Sequence, residues 1–442
     1  MPRLFGTDGI RGEANVDLRP SLAYALGRAV IARMGRSGGL LLGQDTRRSG
    51  DMFAASIVAG ATSMGADVHR LGVCPTPALA HLTAEGPFAA GIMVSASHNP
   101  ATDNGLKVLG GDGLKIDEPL EDELEALMLR ADELAGPPNS EIGREVPARN
   151  RLEGYTAHRL QLARRSRSDV RLVLDCAHGS AGVAAPEVLA ATGATVDVRF
   201  NEPNGDNINA GCGATAPQAA AALVAETGAD LGICLDGDGD RCVAIDERGE
   251  VLDGDQLIGI LALDRLRRGA LRDGLVVVSV LSNGGLEAAL ELAGGRLSRT
   301  PVGDKYIWEQ MDVAGADLGG EKSGHVIIRD HATSGDGLVT ALELLDIIAR
   351  TGRRLSELAG EVMLYPQQQR TVPVRHKELW EAEPVFAGAV TSAERQIDGR
   401  GRVLIRPSGT ESALRIMVEG DDEAVVRSLA DSLAILAAER LN

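Results

Sequence analysis

Leu40-Leu41-Leu42-Gly43 runs into Asp45-Thr46-Arg47-Arg48-Ser49-Gly50, then an Ala-rich stretch that stops at Gly65, then Ala66-Asp67-Val68. A continuous Leu run suits a strand buried on both faces, and a glycine after an Ala-rich stretch suits a left-handed helix cap. The segment therefore reads strand, turn, helix, strand. The same design recurs from Leu172-Val173-Leu174-Asp175 through His178-Gly179-Ser180 to Gly193 and Thr195-Val196-Asp197-Val198, and from Val276-Val277-Val278-Ser279 through Asn283-Gly284-Gly285 to Gly294. Such βαβ crossovers are right-handed and build parallel sheets flanked by helices. Three α/β domains are expected, with one large sheet holding all three units as the alternative.

From about Leu364 the rhythm stops. Thr371-Val372-Pro373-Val374, Arg402-Val403-Leu404-Ile405 and Leu414-Arg415-Ile416-Met417-Val418 read as strands, and Asp421-Asp422 opens a closing helix with acidic residues at its positive end. This is a small α+β domain. Boundaries near Asn150, Asp253 and Tyr365 divide the chain into 1–150, 151–252, 253–364 and 365–442. A length of 442 residues exceeds what one core usually serves, and about 150 residues per domain suggests about three domains, with four smaller ones allowed.

Asp plus Glu total 63 against 45 Lys plus Arg, and a net charge of −18 repels phosphate backbones and acidic lipid surfaces. Nucleic acid and membrane are poor partners, whereas a small anion is accepted wherever basic side chains converge. Five cysteines, odd in number and without a CxxC pair, indicate neither a disulfide framework nor a zinc site and fit reduced thiols in a cytoplasm. The opening Met1-Pro2-Arg3-Leu4-Phe5-Gly6 lacks the apolar run of a signal peptide.

Three motifs carry the chemistry. Gly91-Ile92-Met93-Val94 ends in the loop Ser95-Ala96-Ser97-His98-Asn99-Pro100, where either serine is a candidate phosphate-carrying nucleophile, with His98 and Lys107 as nearby activating groups. A Ser-rich turn bonded to its own backbone is the bland alternative. In Asp236-Gly237-Asp238-Gly239-Asp240-Arg241, glycines let three carboxylates converge, and hard oxygen ligands at this density suit Mg²⁺. An EF-hand, with Glu247 twelfth, fails because Arg241 stands where that loop needs glycine and the flanks read as strands. Arg241 is placed to meet a phosphate beside the metal. Arg406-Pro407-Ser408-Gly409-Thr410 offers a fixed cation, hydroxyls and backbone amides, the groups that hold a phosphate dianion, with Arg415 nearby.

Gly320-Glu321-Lys322-Ser323-Gly324-His325 is less diagnostic: Glu321 and Ser323 can bond sugar hydroxyls, and His325 can move protons near neutral pH. In Gly6-Thr7-Asp8-Gly9-Ile10-Arg11-Gly12, Arg11 is a candidate anchor for the serine loop. His69, His81, His158, His331 and His376 lie in no motif and are read as structural.

Taken in order, these loops resemble the α-D-phosphohexomutase superfamily over essentially the whole chain. Leu4-Phe5-Gly6-Thr7-Asp8-Gly9-Ile10-Arg11-Gly12, Asn207-Ile208-Asn209-Ala210-Gly211-Cys212-Gly213 and Val302-Gly303-Asp304-Lys305-Tyr306 are similar to its bacterial amino-sugar branch. The resemblance implies an α/β architecture of four domains around a central cleft: three similar βαβ-based domains with mixed sheets and a smaller C-terminal α+β domain. It also implies phosphorylation of Ser97 and Mg²⁺ bound by Asp236, Asp238, Asp240 and a phosphoserine oxygen. Glu321 and Ser323 would read the sugar, and Arg406, Ser408, Gly409 and Thr410 would hold the phosphate not being transferred. Lys322 stands where the superfamily commonly has Gln or Asn, and Ser412 where Pro usually follows Thr410-Glu411.

The implied reaction is a cytoplasmic exchange of glucosamine 6-phosphate and glucosamine 1-phosphate through glucosamine 1,6-bisphosphate, feeding amino-sugar nucleotide synthesis. Lys107 and His325 are the candidate proton carriers, one for each direction. The expected partner is a small sugar phosphate, with a homodimer allowed but not required. Rival readings are a phosphoglucomutase or phosphomannomutase, a catalytically silent sugar-phosphate binding protein, and a metal phosphatase.

Overall fold

A computed structural model describes residues 3–6, 8–165, 169–408 and 412–442. Its strands form four sheets, so the single large sheet is excluded. The first has six strands in the order Ile10–Glu13, Asp103–Gly110, Ala90–Val94, Leu40–Gln44, Val68–Val73 and Glu145–Pro147. The last four run parallel, as the βαβ pattern requires, while Asp103–Gly110 lies antiparallel to both Ala90–Val94 and Ile10–Glu13. The second sheet orders Val251–Leu252, Cys242–Ile245, Leu231–Leu235, Arg171–Asp175 and Thr195–Arg199. The third orders Arg296–Thr300, Leu275–Ser279, Leu318–Gly320 and Val326–Ile328. Purely parallel sheets, as the rhythm alone suggests, are not what forms: each sheet gains antiparallel strands because short loops turn the chain straight back.

Those loops are where the chemistry lies. The serine loop joins Ala90–Val94 to Asp103–Gly110, the tri-aspartate loop joins Leu231–Leu235 to Cys242–Ile245, and the Glu321 loop joins Leu318–Gly320 to Val326–Ile328. In each, an inner parallel-type strand ends and its antiparallel neighbour begins, so the motifs occupy one topological position three times. The carboxyl ends of such strands are where open α/β sheets hold ligands.

Gly65, Gly193 and Gly294 all take positive φ (88°, 95° and 82°), as expected of glycines that end helices. The strands are filled by Val, Leu and Ile; Leu40, Leu41, Val173, Leu231, Val276, Val277 and Val278 are wholly buried. Burying each such side chain contributes about 1.5–3 kcal/mol. Helix Leu152–Ala163 buries Tyr155 and Arg159 against Asp336, which caps helix Gly337–Thr351 through the Leu338 and Val339 amides.

The chain divides into two compact units. One comprises Met1–Leu281 with Gly295–Gly360; the other comprises Ser282–Gly294 with Glu361–Asn442. The second unit has a three-stranded antiparallel sheet, Gln367–Pro373, Ala413–Gly420 and Gly401–Pro407, covered by helices Pro384–Gln396 and Glu423–Arg440. The closing helix starts as expected, with Asp422 accepting from the Ala424 and Val425 amides. Helix Gly284–Leu292, the crossover of the third βαβ segment, belongs to this unit: Asn283 bonds the Tyr365 backbone, and the Gly284 amide donates to Glu419. All five cysteines are free and buried, and no helix among the described residues is long and apolar enough to cross a membrane.

Candidate active site

Asp236, Asp238 and Asp240 are buried, and one ligand oxygen from each lies within 4.8 Å of the others. Three backbone bonds hold the loop in this shape. The Gly237 carbonyl accepts from the Ser180 amide (2.8 Å), the Asp238 carbonyl from the Thr76 amide (2.8 Å) and the Gly239 carbonyl from the Gly337 amide (3.0 Å). Each donor lies at the start of a helix, where amides lack helical partners, and the three helices come from three different domains. The aspartate loop is thus the point where the first three domains meet.

Clustered buried carboxylates repel, and their partners divide the charge unequally. Burial, then Asp240 and Asp238, push the Asp236 carboxyl well above its ordinary value. Burial works the same way on Asp240, but Lys107 and His325 outweigh it and hold that carboxyl well below. Lys107, wholly buried, donates to Asp238 Oδ2 at 2.7 Å and Asp240 Oδ2 at 3.5 Å and lies 3.3 Å from Asp8. Asp238 Oδ1 and Asp240 Oδ1 are buried without a hydrogen-bond partner among the described residues. Oxygen-only donors with orphaned lone pairs fit a hard divalent cation such as Mg²⁺. Glu247 points elsewhere, accepting from the Ser356 hydroxyl at 2.5 Å, and strands flank the loop, so the EF-hand is excluded.

Ser97 Oγ donates to Asp236 Oδ2 at 2.6 Å, which brings the serine loop onto the aspartate loop. The approach is close enough that a Cβ on Gly237 would lie 2.6 Å from the Ser97 carbonyl, so only glycine fits there. Ser95 is engaged differently: its hydroxyl donates to Asp45 Oδ2 at 2.5 Å and accepts from the Ser97 amide at 2.9 Å. Arg11 reaches the loop from the neighbouring strand, donating to the Ala96 carbonyl at 3.0 Å and Asn99 Oδ1 at 3.2 Å. Burial and the Arg241 and Arg11 guanidinium groups lower the His98 pKa to about 4, so its ring is neutral at physiological pH.

His325 lies 3.6 Å from Asp240 through Nδ1 and 3.5 Å from Asp304 through Nε2, and Nε2 accepts from the Gly335 amide at 3.1 Å. That amide fixes Nδ1 as the protonated nitrogen of the neutral ring. Burial opposes charge on His325, but Asp240 and Asp304 outweigh it and raise the pKa. Asp304 also pairs with Lys115 at 2.6 Å, and Asp8 pairs with Lys115 and Arg11. The structure therefore brings Arg11, Ser97, His98, Lys107, Asp236, Asp238, Asp240, Arg241 and His325 into one charged assembly. Arg241 belongs to it through its amide on Asp236 Oδ1 (3.2 Å) and its guanidinium near Asp240 (3.9 Å).

Glu321 accepts from the Gly303 amide at 3.1 Å, and Ser323 Oγ is buried without a hydrogen bond among the described residues. In the second unit Arg406 stands opposite Arg415 on adjacent strands, and burial followed by Arg415 lowers the Arg406 pKa. Ser408 is buried, with its amide on the Ala413 carbonyl at 2.9 Å. Gly409 and Thr410 lie outside the described residues. Asp8, Asp45, Arg47, Asn209 and Asp304 stand in quoted stretches without a role assigned from the sequence, and Thr76 and Lys115 stand in none. Asp8 and Asp304 were detectable as acids near cations; Thr76 carried no local signal.

The structure thus sets a serine-bearing loop on a carboxylate cluster, repeats one sheet topology and adds a separate Arg-bearing domain. The chain belongs to the phosphoglucomutase/phosphomannomutase family: models of its alpha/beta/alpha domains I, II and III match residues 2–135, 153–249 and 253–365, and its C-terminal domain matches 371–436. The phosphoglucosamine mutase of Symbiobacterium thermophilum is 48% identical over 441 residues, covering 98% of each chain. That of Moorella thermoacetica is 46% identical and covers 99% of each. The crystal structure of a phosphoglucomutase/phosphomannomutase family protein from Burkholderia thailandensis shares the fold with a TM-score of 0.82 at 22% identity, covering 99% of this chain and 98% of that one.

Proposed function

We propose that this chain is a phosphoglucosamine mutase that interconverts glucosamine 6-phosphate and glucosamine 1-phosphate through phosphorylated Ser97. The observation that carries the reading is the Ser97 hydroxyl at 2.6 Å from Asp236 within the carboxylate triad, in a chain 48% identical to a phosphoglucosamine mutase along its length. Ser97 is favoured over Ser95 because its hydroxyl lies on the carboxylate triad, whereas the Ser95 hydroxyl bonds Asp45 and the Ser97 amide.

The phosphoserine P–O bond breaks as the sugar's free hydroxyl oxygen bonds to phosphorus; that hydroxyl gives up its proton to a base, and the departing Ser97 Oγ takes one up to become a neutral hydroxyl. The bisphosphorylated sugar then turns around, and its other phosphoryl group returns to Ser97 with the opposite proton movement. Asp236, Asp238, Asp240 and a phosphoserine oxygen would hold Mg²⁺, which neutralises charge on the transferring group when bound. Arg11 and Arg241 flank that group as fixed cations. Lys107 and His325, with neutral His98 beside the serine, supply and accept the protons. Glu321 and Ser323 orient the sugar, and Arg406, Ser408, Gly409, Thr410 and Arg415 hold the phosphate not being transferred.

Turnover of glucosamine, glucose and mannose phosphates by wild type and Ser97→Ala tests this. Glucosamine phosphate is the preferred substrate and the variant is inactive. Equal or better turnover of glucose 1-phosphate would reject the amino-sugar assignment, and full activity of the variant would move the nucleophile.

A further inference from the structure

Ser97 has φ of 51°, in the left-handed region that serine rarely occupies, and it is wholly buried. Holding a residue there costs of order 1–3 kcal/mol, and such strain persists only where the surroundings over-determine it. A buried cation stands at the centre of those surroundings. The Arg47 side chain is wholly buried, and its guanidinium donates to the carbonyls of Ser97 (2.9 Å), Asn99 (2.8 Å), Asp103 (2.9 Å) and Pro100. Its Nε is held by Asp45 at 2.9 Å, and the same Asp45 oxygen takes the Ser95 hydroxyl proton. Ser95 in turn accepts the Ser97 amide. From the second domain, Asn209 Nδ2 donates to the Ser97 carbonyl (2.9 Å) and the Asn99 carbonyl (3.2 Å).

Four carbonyls of the loop, those of Ser97, Asn99, Pro100 and Asp103, thus face one guanidinium, while the Ala96 carbonyl is held by Arg11 and Ser97 Oγ bonds Asp236. Asp45 and Arg47 follow the strand Leu40–Gln44, which lies parallel to Ala90–Val94 inside the sheet, so the clamp and the serine loop leave the sheet at the same, carboxyl end. A planar fork with several fixed donors can satisfy diverging carbonyls at once, and an ammonium cannot reproduce that geometry.

We infer that Arg47, oriented by Asp45 and seconded by Ser95, is a positioning residue that locks Ser97 in its left-handed conformation and so sets the line of phosphoryl transfer. The inference rests on Ser97 being the phosphoryl carrier. Arg47 meets Ser97 only at its main-chain carbonyl and so acts through the backbone of the serine loop. Misplacing a reacting atom by about 1 Å costs on the order of 100-fold in rate.

The test compares wild type, Arg47→Lys, Arg47→Gln and the milder Ser95→Ala by steady-state kinetics, thermal melting, amide exchange of residues 95–103, and intact mass after treatment with a hexose 1,6-bisphosphate. In Arg47→Gln, kcat should fall by roughly 100-fold with KM little changed, loop exchange should quicken, and phosphate uptake should slow. Arg47→Lys should lie between that variant and wild type. Should Arg47→Gln fail to fold, Ser95→Ala decides, since it deletes one oxygen and keeps the ion pair. Wild-type kcat and wild-type loop exchange in Ser95→Ala and Arg47→Lys, or a rise in KM with kcat intact, would overturn the inference. Absence of phosphate on wild-type Ser97 would instead overturn the reading it rests on.

Discussion

Thr76 bonds Asp238 twice: its hydroxyl donates to Oδ2 at 2.6 Å and its amide to the main-chain carbonyl at 2.8 Å. One residue at the start of helix Thr76–Glu85 in the first domain therefore orients both the side chain and the backbone of a carboxylate in the second. Partners that orient metal-binding carboxylates are typically worth 10–100-fold in metal affinity. Thr76→Val keeps the shape and the amide but removes the hydroxyl, and should weaken Mg²⁺ or Mn²⁺ binding by roughly 10–100-fold in calorimetric titration. Unchanged affinity would show that Lys107 alone orients Asp238.

Cation binding should release protons. Asp236 is pushed well above its ordinary pKa by burial and by its two neighbours, so without a cation it retains a proton into a range where exposed aspartates are ionised. A divalent cation needs the carboxylate form. Titration of wild type with Mg²⁺ in buffers of different ionisation enthalpy should report proton release, diminishing as pH rises, and Asp236→Asn should release none. The cation should also raise the melting temperature of wild type by mass action, and the same variant should lose that response.

A second buried aspartate predicts a pH-dependent stability. Asp175 ends strand Arg171–Asp175, accepts from the Ala177 amide at 2.8 Å and the Gly213 amide at 2.7 Å, and has its pKa raised from 3.8 to about 6, burial outweighing both bonds. The folded state therefore binds the proton more tightly than the unfolded chain. Its stabilising contribution is full below the unfolded value and is lost as pH rises through about 6. The swing is about 3 kcal/mol from roughly two pKa units. The melting temperature of wild type relative to Asp175→Asn should fall between acid and neutral pH; a constant difference would show that folding leaves the Asp175 pKa unshifted.

Removing one partner of the Arg159–Asp336 pair should be costly. The two are buried at 2.9 Å, and Asp336 also accepts the Tyr155 hydroxyl and caps the helix whose first amide holds the Gly239 carbonyl. Breaking a buried pair typically costs 3–5 kcal/mol because the remaining charge has no solvent. Arg159→Met should lower thermal stability by about that much, whereas Arg159→Met with Asp336→Asn should recover part of it. A double variant no better than the single would mean the charge is not the cause.

The βαβ segments were legible because strand burial, helix composition and helix-ending glycines are local properties. Of the antiparallel return strands, Cys242–Ile245 was legible from its apolar run, whereas Asp103-Asn104-Gly105-Leu106-Lys107 carries no strand pattern and becomes a strand because it pairs with Ala90–Val94 and Ile10–Glu13 on either side. Helix Gly284–Leu292 reads as an ordinary crossover, yet its glycines pack on Tyr365 and Met363, some eighty residues onward in the same unit. No local pattern announces a contact at that separation.

By itself the sequence determined which groups are present and in what order: two serines before a histidine, three aspartates spaced by glycine, and an arginine-bearing turn near the end. Composition and spacing suffice there, because carboxylates one residue apart converge wherever the backbone can bend. Only the tertiary structure set which partner each serine hydroxyl meets and what surrounds the aspartates. Ser95 is spent on Asp45 and the Ser97 amide, Arg47 grips the serine loop from a neighbouring strand, and Thr76, Ser180 and Gly337 pin the aspartate loop from three domains. The physical reason is that hydrogen bonds and desolvation act over a few ångströms in space, and folding sets those distances between residues that the chain keeps far apart.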